Sequence, residues 1–351
     1  MFFRSAKLVF VLAALPALNA FNVGPSLLAL RFPSSAIQRH GIRTAPASQG
    51  AQGLNMLVGV PLQVLVTGAS GRTGFLTFTK LREAEKDFYV RGLVHSTKGA
   101  KKLQTTGASL GDSDAIKASN KKLRDMGMPA DDDDPEIFIG DICEGATLKE
   151  ALTDCDALVI LTSGVPKLRK REVFKTVVAK LFGRQRMPKF YYDQMPEQVD
   201  WLGAKQQIDS AKEAGVAHIV LVGSMGVSPQ KNTPDNTLNK IGDGNILVWK
   251  AKAEEYLMNI GVTYTIIHPG GLTNKPGGER ELVLGVDDSL LDDFEKLGAT
   301  RSIPREDVAN LVVASLRNKD LVANKSFDVV SKEVGAGSVT EDWKTLFKTL
   351  P

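Results

Sequence analysis

The chain has 351 residues; 43% are hydrophobic, enough to bury a sizeable core, and the net charge is only +4. This modest charge, with no basic run interleaved with aromatic residues, argues against a nucleic-acid surface. No apolar run reaches the roughly 18–20 residues that a membrane span needs. Two cysteines, Cys143 and Cys155, exclude a disulfide framework, and neither they nor the scattered histidines have metal-site spacing, so we expect no metal.

The N-terminal segment has the composition of a targeting leader. Residues 1–20 combine the basic Arg4 and Lys7 with the apolar stretch 8–18, as in a signal peptide. A buried N-terminal helix is the alternative. Residues 21–60 contain arginine and serine but no acidic residue, which is typical of a transit peptide. Together they resemble the bipartite leaders of algae with secondary plastids, so we expect a plastid protein. Simple secretion is the competing interpretation, and the lack of disulfide-forming cysteines disfavours it.

From residue 61 onward, strand-like and helix-like patterns alternate. In chain order we expect a strand at 62–67, a helix at 71–85, strands at 88–94, 137–139 and 156–161, a helix at 199–214, a strand at 218–223, a helix at 246–260, a strand at 264–267, a helix at 305–316 and a strand at 326–330. Such alternation is typical of βαβ units. We therefore predict an α/β fold, a doubly wound parallel sheet of Rossmann type, as a single domain over 61–351 with small extensions on the substrate side.

Two segments interrupt this pattern. Residues 107–135 are polar and end in four aspartates at 131–134, which we interpret as an acidic surface insertion rather than a cation site, because metal loops space their ligands around a turn. Residues 166–196 are basic and then aromatic, and they follow the predicted strand at 156–161. They could form a substrate lid or a variable crossover loop.

A glycine-rich turn joins the first predicted strand to the first helix. It reads VTGASGRTG over residues 66–74, with the spacing G-x-x-G-x-x-G. Gly68 permits a tight turn, Gly71 lets a pyrophosphate approach the backbone, and Gly74 allows close packing of helix on strand. The pyrophosphate would accept hydrogen bonds from the N-terminus of the helix. We therefore predict a dinucleotide site built by Gly68, Ser70, Gly71, Arg72, Thr73 and Gly74.

The end of the second predicted strand bears on the choice of cofactor. An NAD site places Asp or Glu there to bind the ribose 2′-hydroxyl, but this chain has His95, Ser96 and Lys98. Arg72 lies in the glycine-rich loop, where it could reach the ribose or simply face solvent. Cationic groups without a carboxylate favour the 2′-phosphate, so we predict NADP(H) as the cofactor, with NAD as the alternative.

Further motifs point to one family. They are FIGDI at 138–142, DALVILTS at 156–163, PEQVDW at 196–201, VGSMG at 222–226, GNILVWK at 244–250 and TIIHPGG at 265–271. With the glycine-rich loop they resemble the atypical short-chain dehydrogenase/reductase family, which includes NmrA-like and biliverdin-reductase-B-like proteins and a small plant NAD(P)-binding member of unassigned reaction. The resemblance spans nearly all of residues 62–350 and implies that NADP binds along the carboxyl edge of the sheet.

The resemblance also implies roles by position. Asp141 and Ile142 match the pair that contacts adenine. His95 stands where relatives often carry an arginine for the 2′-phosphate, and because imidazole is a poorer phosphate partner than guanidinium, more of the discrimination falls to Arg72. The segments that match the ribose and nicotinamide contacts are Leu161, Thr162 and Ser163, and Pro269 and Gly270.

The catalytic machinery of the family is incomplete here. Short-chain reductases use Tyr-x-x-x-Lys, in which the tyrosine donates a proton and the lysine holds the ribose and lowers the tyrosine pKa. By resemblance, Lys250 matches the lysine and Ser224 the family serine, but Ile246 stands in place of the tyrosine. Tyr256 follows Lys250 by nearly two helical turns, which makes it a poor replacement.

Three functions therefore remain open at the level of sequence. The first is an NADP-dependent reductase that takes its proton from water, from the substrate or from a lid tyrosine, Tyr191 or Tyr192; flavin-type or tetrapyrrole-type acceptors would suit it. The second is a non-catalytic redox sensor or assembly factor with a protein partner. The third is an isomerase, epimerase or lyase that uses the nicotinamide transiently. The fold alone does not choose among them.

Overall fold

A computed structural model describes residues 60–108, 136–183 and 188–351. The predicted signal and transit segments and most of the predicted insertion at 107–135 lie outside the described residues. Residues Val58–Pro351 form one compact unit. Within the described part of the chain, no helix is both long and apolar enough to cross a bilayer.

The central feature is an eight-stranded sheet in the described residues, with the order β10-β12-β8-β7-β4-β1-β2-β3. All neighbouring pairs are parallel except β10 with β12, so an antiparallel edge strand completes a parallel sheet. Two small ribbons, β5–β6 and β9–β11, lie outside it. The strands are β1 (Leu62–Thr67), β2 (Phe88–Val94), β3 (Ile137–Ile139), β4 (Ala157–Ile160), β5 (Lys167–Leu168), β6 (Phe190–Tyr191), β7 (His218–Val222), β8 (Thr263–Pro269), β9 (Gly271–Thr273), β10 (Leu282–Gly285), β11 (Ser302–Pro304) and β12 (Lys325–Ser331).

Helices cover both faces of the sheet. The longer ones are α1 (Arg72–Glu83), α2 (Thr97–Gln104), α3 (Gly145–Ala151), α4 (Lys170–Leu181), a π-helix (Glu197–Gly203) that continues into α5 (Ala204–Glu213), α6 (Ile246–Asn259) and α7 (Arg305–Arg317). Single turns occur at Thr237–Lys240, Ile241–Asp243, Leu290–Asp293, Lys319–Val322 and Trp343–Phe347.

Alternation along the strands separates two cores. Val64 and Val66 of β1 face the core beneath α1, α2 and α7, whereas Leu65 between them faces the core beneath α3, α5 and α6. Since successive side chains of a strand point to opposite faces, an unbroken apolar strand such as β1 serves both cores. The result is a doubly wound α/β domain whose carboxyl-edge loops are left free to form a site.

The predicted order of elements is confirmed. The seven predicted strands are present as β1–β4, β7, β8 and β12, with ends that differ by at most two residues. The predicted helix at 199–214 is present, but it begins as a π-helix at Glu197. The sequence patterns did not reveal α2, α3 or β10. The helices α2 and α3 are short and carry few apolar residues, and β10 is an edge strand of only four residues. The segment 166–196, predicted as a lid or a crossover loop, contains β5, α4 and β6.

Gly92 in β2 controls how closely α1 and α2 pack on the sheet. A Cβ at this position would lie 2.7 Å from the Leu103 side chain of α2 and 2.9 Å from the Phe78 side chain of α1. Both side chains are fully buried. The absent side chain is therefore part of the packing, because a methyl group has no room unless two buried residues move.

We expect Gly92→Ala to lower the free energy of unfolding by about 1–3 kcal/mol, the usual cost of overpacking a buried site. Urea denaturation followed by circular dichroism measures this. Gly145→Ala is the matched control, because a Cβ there meets only the flexible end of Gln206. Equal stabilities of the two variants would contradict this account of the packing.

Candidate active site

The glycine-rich turn between β1 and α1 has the geometry predicted for it. Gly68 adopts a φ of +67°, and the backbone N–H of Gly71 donates to the Gly68 carbonyl at 2.8 Å. A Cβ on Gly74 would lie 2.2 Å from the same carbonyl, and one on Gly68 would lie 3.0 Å from the Leu161 carbonyl after β4. No L-residue with a side chain fits at Gly68 or Gly74, so the turn requires glycine at both positions.

The N-terminus of α1 has the features of an anion-binding site. Gly71 is the N-cap but makes no side-chain cap, and no acidic residue lies in the first turn. Within the described residues, the backbone N–H groups of Arg72, Thr73 and Gly74 find no acceptor. Free N–H groups and the positive end of the helix dipole are what a pyrophosphate binds. The residues present thus fit the phosphate group of a dinucleotide.

Basic side chains surround this turn. Lys102 of α2 donates to the Ser70 carbonyl at 2.9 Å, and partial burial lowers the pKa of Lys102. Arg72 is exposed, and its positive charge acts on Arg305 at the start of α7. Burial first, and then this repulsion, lower the pKa of Arg305 to about 10. The mouth of the turn is therefore electropositive, which suits a phosphorylated ligand.

The residues expected at the adenosine end lie at the carboxyl ends of β2 and β3. His95 is exposed, with its Nδ1 3.8 Å from an Asp141 carboxylate oxygen. Ser96 caps α2 by accepting a hydrogen bond from the backbone N–H of Gly99 at 3.2 Å. Ile142 lies against the Cα of Gly203, where a Cβ would come within 2.6 Å of it. Among residues 95–98, directly after β2, there is no carboxylate.

The predicted ribose and nicotinamide segments adjoin the same edge. Leu161, Thr162 and Ser163 are partly exposed just after β4, and Thr162 Oγ1 accepts a hydrogen bond from Gln207 at 3.2 Å. Pro269 ends β8, and its carbonyl accepts from the Met225 backbone N–H at 3.2 Å. Gly270 follows, and its N–H donates to Val329 of β12 at 2.9 Å.

Lys250, which the resemblance places at the nicotinamide end of the site, is paired with Asp200. The Lys250 ammonium lies 2.8 Å from Asp200 Oδ1, and both side chains are almost fully buried. Asp200 Oδ2 accepts from the Gly164 backbone N–H at 2.8 Å. A small cavity lined by Thr162, Asp200, Gly223, Lys250 and Glu254 lies here. Ser224 follows the cavity residue Gly223 in the sequence. Its hydroxyl donates to the Met225 carbonyl at 3.0 Å.

Asp200 lines this cavity but is not among the site residues predicted from the sequence. It sits in the π-helix, where the extra residue per turn changes which side chains face the cavity; such segments are frequent at functional sites. The signal was present in the motif PEQVDW at 196–201, in which an acid interrupts apolar neighbours. No local pattern, however, could show that its partner is Lys250, fifty residues further along the chain.

A second buried charge cluster lies one turn along α6. Glu254 Oε2 is 2.9 Å from His268 Nε2, and His268 Nδ1 is 3.3 Å from Asp328 Oδ1. All three side chains are less than a tenth exposed. Burial opposes protonation of His268, but the two carboxylates outweigh it and raise the pKa of His268 to about 10. The imidazolium therefore persists at neutral pH and compensates the buried carboxylates.

Of the two candidate lid tyrosines, Tyr192 lies close enough to feel the charge of Asp200, the partner of Lys250. The Tyr192 ring packs against Gly242 and Gly244, just before α6. Burial, and then the negative charge of Asp200, raise the pKa of Tyr192 to about 12. Tyr191, by contrast, stacks with Arg169. The Tyr256 hydroxyl donates to Asp209 at 2.5 Å, so this side chain has a partner away from Lys250.

A phosphate-binding turn, a bordering electropositive mouth and a buried lysine along one sheet edge define a dinucleotide-binding Rossmann protein. A family of NAD(P)H-binding proteins matches residues 115–319. Sanguinarine reductase of Eschscholzia californica is 45% identical over 298 residues, which cover 82% of this chain and 95% of that protein. An uncharacterised chloroplast protein of Arabidopsis thaliana is 44% identical over 289 residues, covering 82% of this chain and 75% of that protein.

Solved structures of other proteins have a similar fold. A Bacillus halodurans protein described as an NAD-dependent epimerase/dehydratase superposes with a TM-score of 0.53 at 19% identity, covering 82% of this chain and 99% of that one. At this identity only the fold is shared. The sequence relatives go further: the chain belongs to the NAD(P)H-binding family and is an atypical short-chain dehydrogenase/reductase. The chloroplast relative supports a plastid location.

The His268 cluster generates a pH dependence of stability. The unfolded imidazole has a pKa near 6.5, so above that pH the native state holds a proton that the unfolded state releases. We expect the free energy of unfolding to fall by up to ~1.4 kcal/mol per pH unit between about pH 7 and 9 from this group. Urea denaturation across this range should show a flatter slope for His268→Gln, along with lower overall stability.

His218→Gln is the matched control. Burial lowers the pKa of His218 to about 4, so this ring is neutral in both states above pH 7. The variant should lose stability through the lost hydrogen bond to Thr265, at 2.9 Å, yet keep the wild-type slope. An unchanged slope in His268→Gln would contradict a protonated His268.

Proposed function

We propose that this protein is an NADP(H)-dependent reductase that transfers hydride to a small conjugated acceptor of the flavin or tetrapyrrole type. The observation that carries the proposal is the buried Lys250–Asp200 pair beside the phosphate-binding turn, with Ile246 where a proton-donating tyrosine stands in related reductases. When bound, the reduced nicotinamide supplies the hydride. The relative from Eschscholzia californica is named for its reduction of sanguinarine, which supports a reductase.

The roles of the chain's own residues follow from their positions. The first turn of α1 binds the pyrophosphate, and Lys250 holds the ribose at the carboxyl edge of β4 and β7. Asp200 orients the Lys250 ammonium and is itself fixed by Gly164. Ser224 and the segments 161–163 and 269–270 line the nicotinamide side.

The proposed class of acceptor follows from Ile246, which stands where related reductases have a tyrosine that acts as general acid. A tyrosine acting as general acid needs a lowered pKa, whereas the pKa of Tyr192 is raised to about 12. Tyr192 is thus tuned to keep its proton. A conjugated ring can spread the charge delivered by hydride and take its proton from water afterwards, so it needs little acid catalysis by the protein.

The proposed preference for NADP rests on the charges at the adenosine end. No carboxylate follows β2 to bind a 2′-hydroxyl, and Arg72, Lys98 and Lys101 are exposed around the site. The N-terminus of α2, which Ser96 caps, also favours a phosphate at this end of the site. NAD is the alternative that titration decides.

A non-catalytic sensor that reports cofactor occupancy to a protein partner is the second candidate. Ile246 at the catalytic position favours it, because isoleucine cannot transfer a proton. Retained cofactor binding without turnover on any acceptor would support this function over the reductase.

We further propose that residues 1–20 act as a signal peptide and residues 21–60 as a transit peptide that deliver the protein to an algal secondary plastid. The acid-free composition of 21–60 supports this route. Fusion of residues 1–60 to a fluorescent protein tests it in a diatom. Retention in the secretory pathway would contradict it.

We expect NADPH to bind residues 58–351 at least about tenfold more tightly than NADH, a difference of ~1.4 kcal/mol. Arg72→Ala should remove most of this preference, because a guanidinium pairs with the 2′-phosphate. Fluorescence titration measures both ligands. Arg317→Ala, an exposed arginine that pairs with Asp87, is the control. Equal weakening of NADPH and NADH by Arg72→Ala would instead place Arg72 on the shared pyrophosphate.

We expect multiple-turnover oxidation of NADPH with quinone, flavin or tetrapyrrole acceptors, and Lys250→Ala should lower kcat/KM by at least about tenfold through lost positioning of the ribose. Tyr192→Phe should leave turnover nearly unchanged, because Tyr192 is not the acid. Lys212→Ala, at a surface lysine that donates to the Ile260 carbonyl, is the control. Unchanged turnover in Lys250→Ala would contradict the assigned role.

A further inference from the structure

Helix α4 turns its apolar side toward solvent. Val173, Val177 and Leu181 follow one another at four-residue spacing and are 37%, 53% and 79% exposed. Phe174 on the same side is 70% exposed, and Phe182, directly after the helix, is 77% exposed. Residues four apart lie one above the other on a helix, so these side chains form one continuous stripe.

The part of α4 that faces the protein carries the polar residues Glu172 and Thr176. Glu172 is 6% exposed, and the Thr176 hydroxyl one turn later donates to the Glu172 carbonyl at 2.8 Å. Surface helices of globular proteins normally bury the apolar stripe and expose the polar one. The orientation of α4 is the reverse, and contiguous exposed apolar residues of this kind mark an interaction surface.

The sequence around the stripe is strongly basic. Residues 167–189 contain nine lysines and arginines and a single acid, the buried Glu172, whereas the whole chain has a net charge of only +4. Basic side chains around an apolar helical stripe are typical of helices that lie in the interface of an anionic membrane. The basic residues are Lys167, Arg169, Lys170, Arg171, Lys175, Lys180, Arg184, Arg186 and Lys189.

We propose that α4 docks the protein on an anionic lipid surface, with the stripe of Val173, Phe174, Val177, Leu181 and Phe182 inserted among the acyl chains and the exposed Arg169, Arg171 and Lys175 on the head groups. A helix of this length extends only ~18 Å, so it lies flat in the interface. This is a binding function separate from the dinucleotide site.

The positive charge of this segment favours a lipid surface over a second copy of the chain as the binding partner. A two-fold dimer brings the same patch of both subunits together, which would set this basic segment against itself. An anionic head-group layer is complementary, and each basic residue near it strengthens binding.

The test is flotation of residues 58–351 with vesicles of phosphatidylcholine alone or mixed with phosphatidylglycerol. We expect binding to the anionic vesicles only, and weaker binding at high salt. The double variant Phe174→Ser/Phe182→Ser should weaken binding at least about tenfold, because two exposed rings no longer insert. Arg171→Glu should weaken it through charge alone.

The matched control is Val334→Ser/Val339→Ser, which removes two apolar side chains that are 57% and 42% exposed elsewhere on the surface. This variant should bind vesicles like the wild type, and all variants should keep wild-type circular dichroism and NADPH affinity. The proposal is overturned by absence of flotation with anionic vesicles, by equal binding to neutral ones, or by unaltered binding of the double phenylalanine variant. A dimer in light scattering that this variant dissociates would assign the stripe to self-association instead.

Discussion

The close approach of α1 to the end of β1 is the constraint on which the site depends. The Gly68 carbonyl occupies the space where a Cβ of Gly74 would stand, and Gly68 in turn lies against the Leu161 carbonyl of the neighbouring strand. This contact brings the uncapped start of α1 to the middle of the sheet edge. It also fixes the distance from that helix end to the segment after β4, and through it to Lys250. A dinucleotide needs both points in register, so the backbone contact determines whether the rest of the edge can be used.

Apart from that contact, the site depends on buried charges that are neutralised by neighbouring side chains of opposite charge. Lys250 is matched by Asp200, and the protonated His268 lies between Glu254 and Asp328. Removing one member of such a group leaves a buried charge without its partner, which costs far more than the pair contributes. This edge is therefore intolerant of single changes, in contrast to the exposed surface of α4.

Patterns confined to a few neighbouring residues were readable from the sequence. The glycine spacing at 68–74 predicted the turn, and the apolar runs predicted seven strands of the main sheet in order. Interactions between distant residues were not readable. Asp200 and Lys250 belong to different helices. His268 of β8, read from the sequence only as part of the motif at 265–271, meets partners on α6 and β12. The apolar spacing of Val173, Val177 and Leu181 would ordinarily predict a buried side, but only tertiary packing decides which side of a helix is covered.

The position of Asp200 has a consequence for how ligands influence one another. The same carboxylate pairs with Lys250 and, after burial, is the second cause of the raised pKa of Tyr192. If Lys250 holds a ribose hydroxyl as proposed, Asp200 loses part of its counter-charge, and the electric field at Tyr192 changes with it. The dinucleotide and any molecule that contacts Tyr192 would then share a coupling free energy, which by thermodynamic linkage alters both affinities by the same factor. The two affinities cannot evolve independently while both depend on one carboxylate.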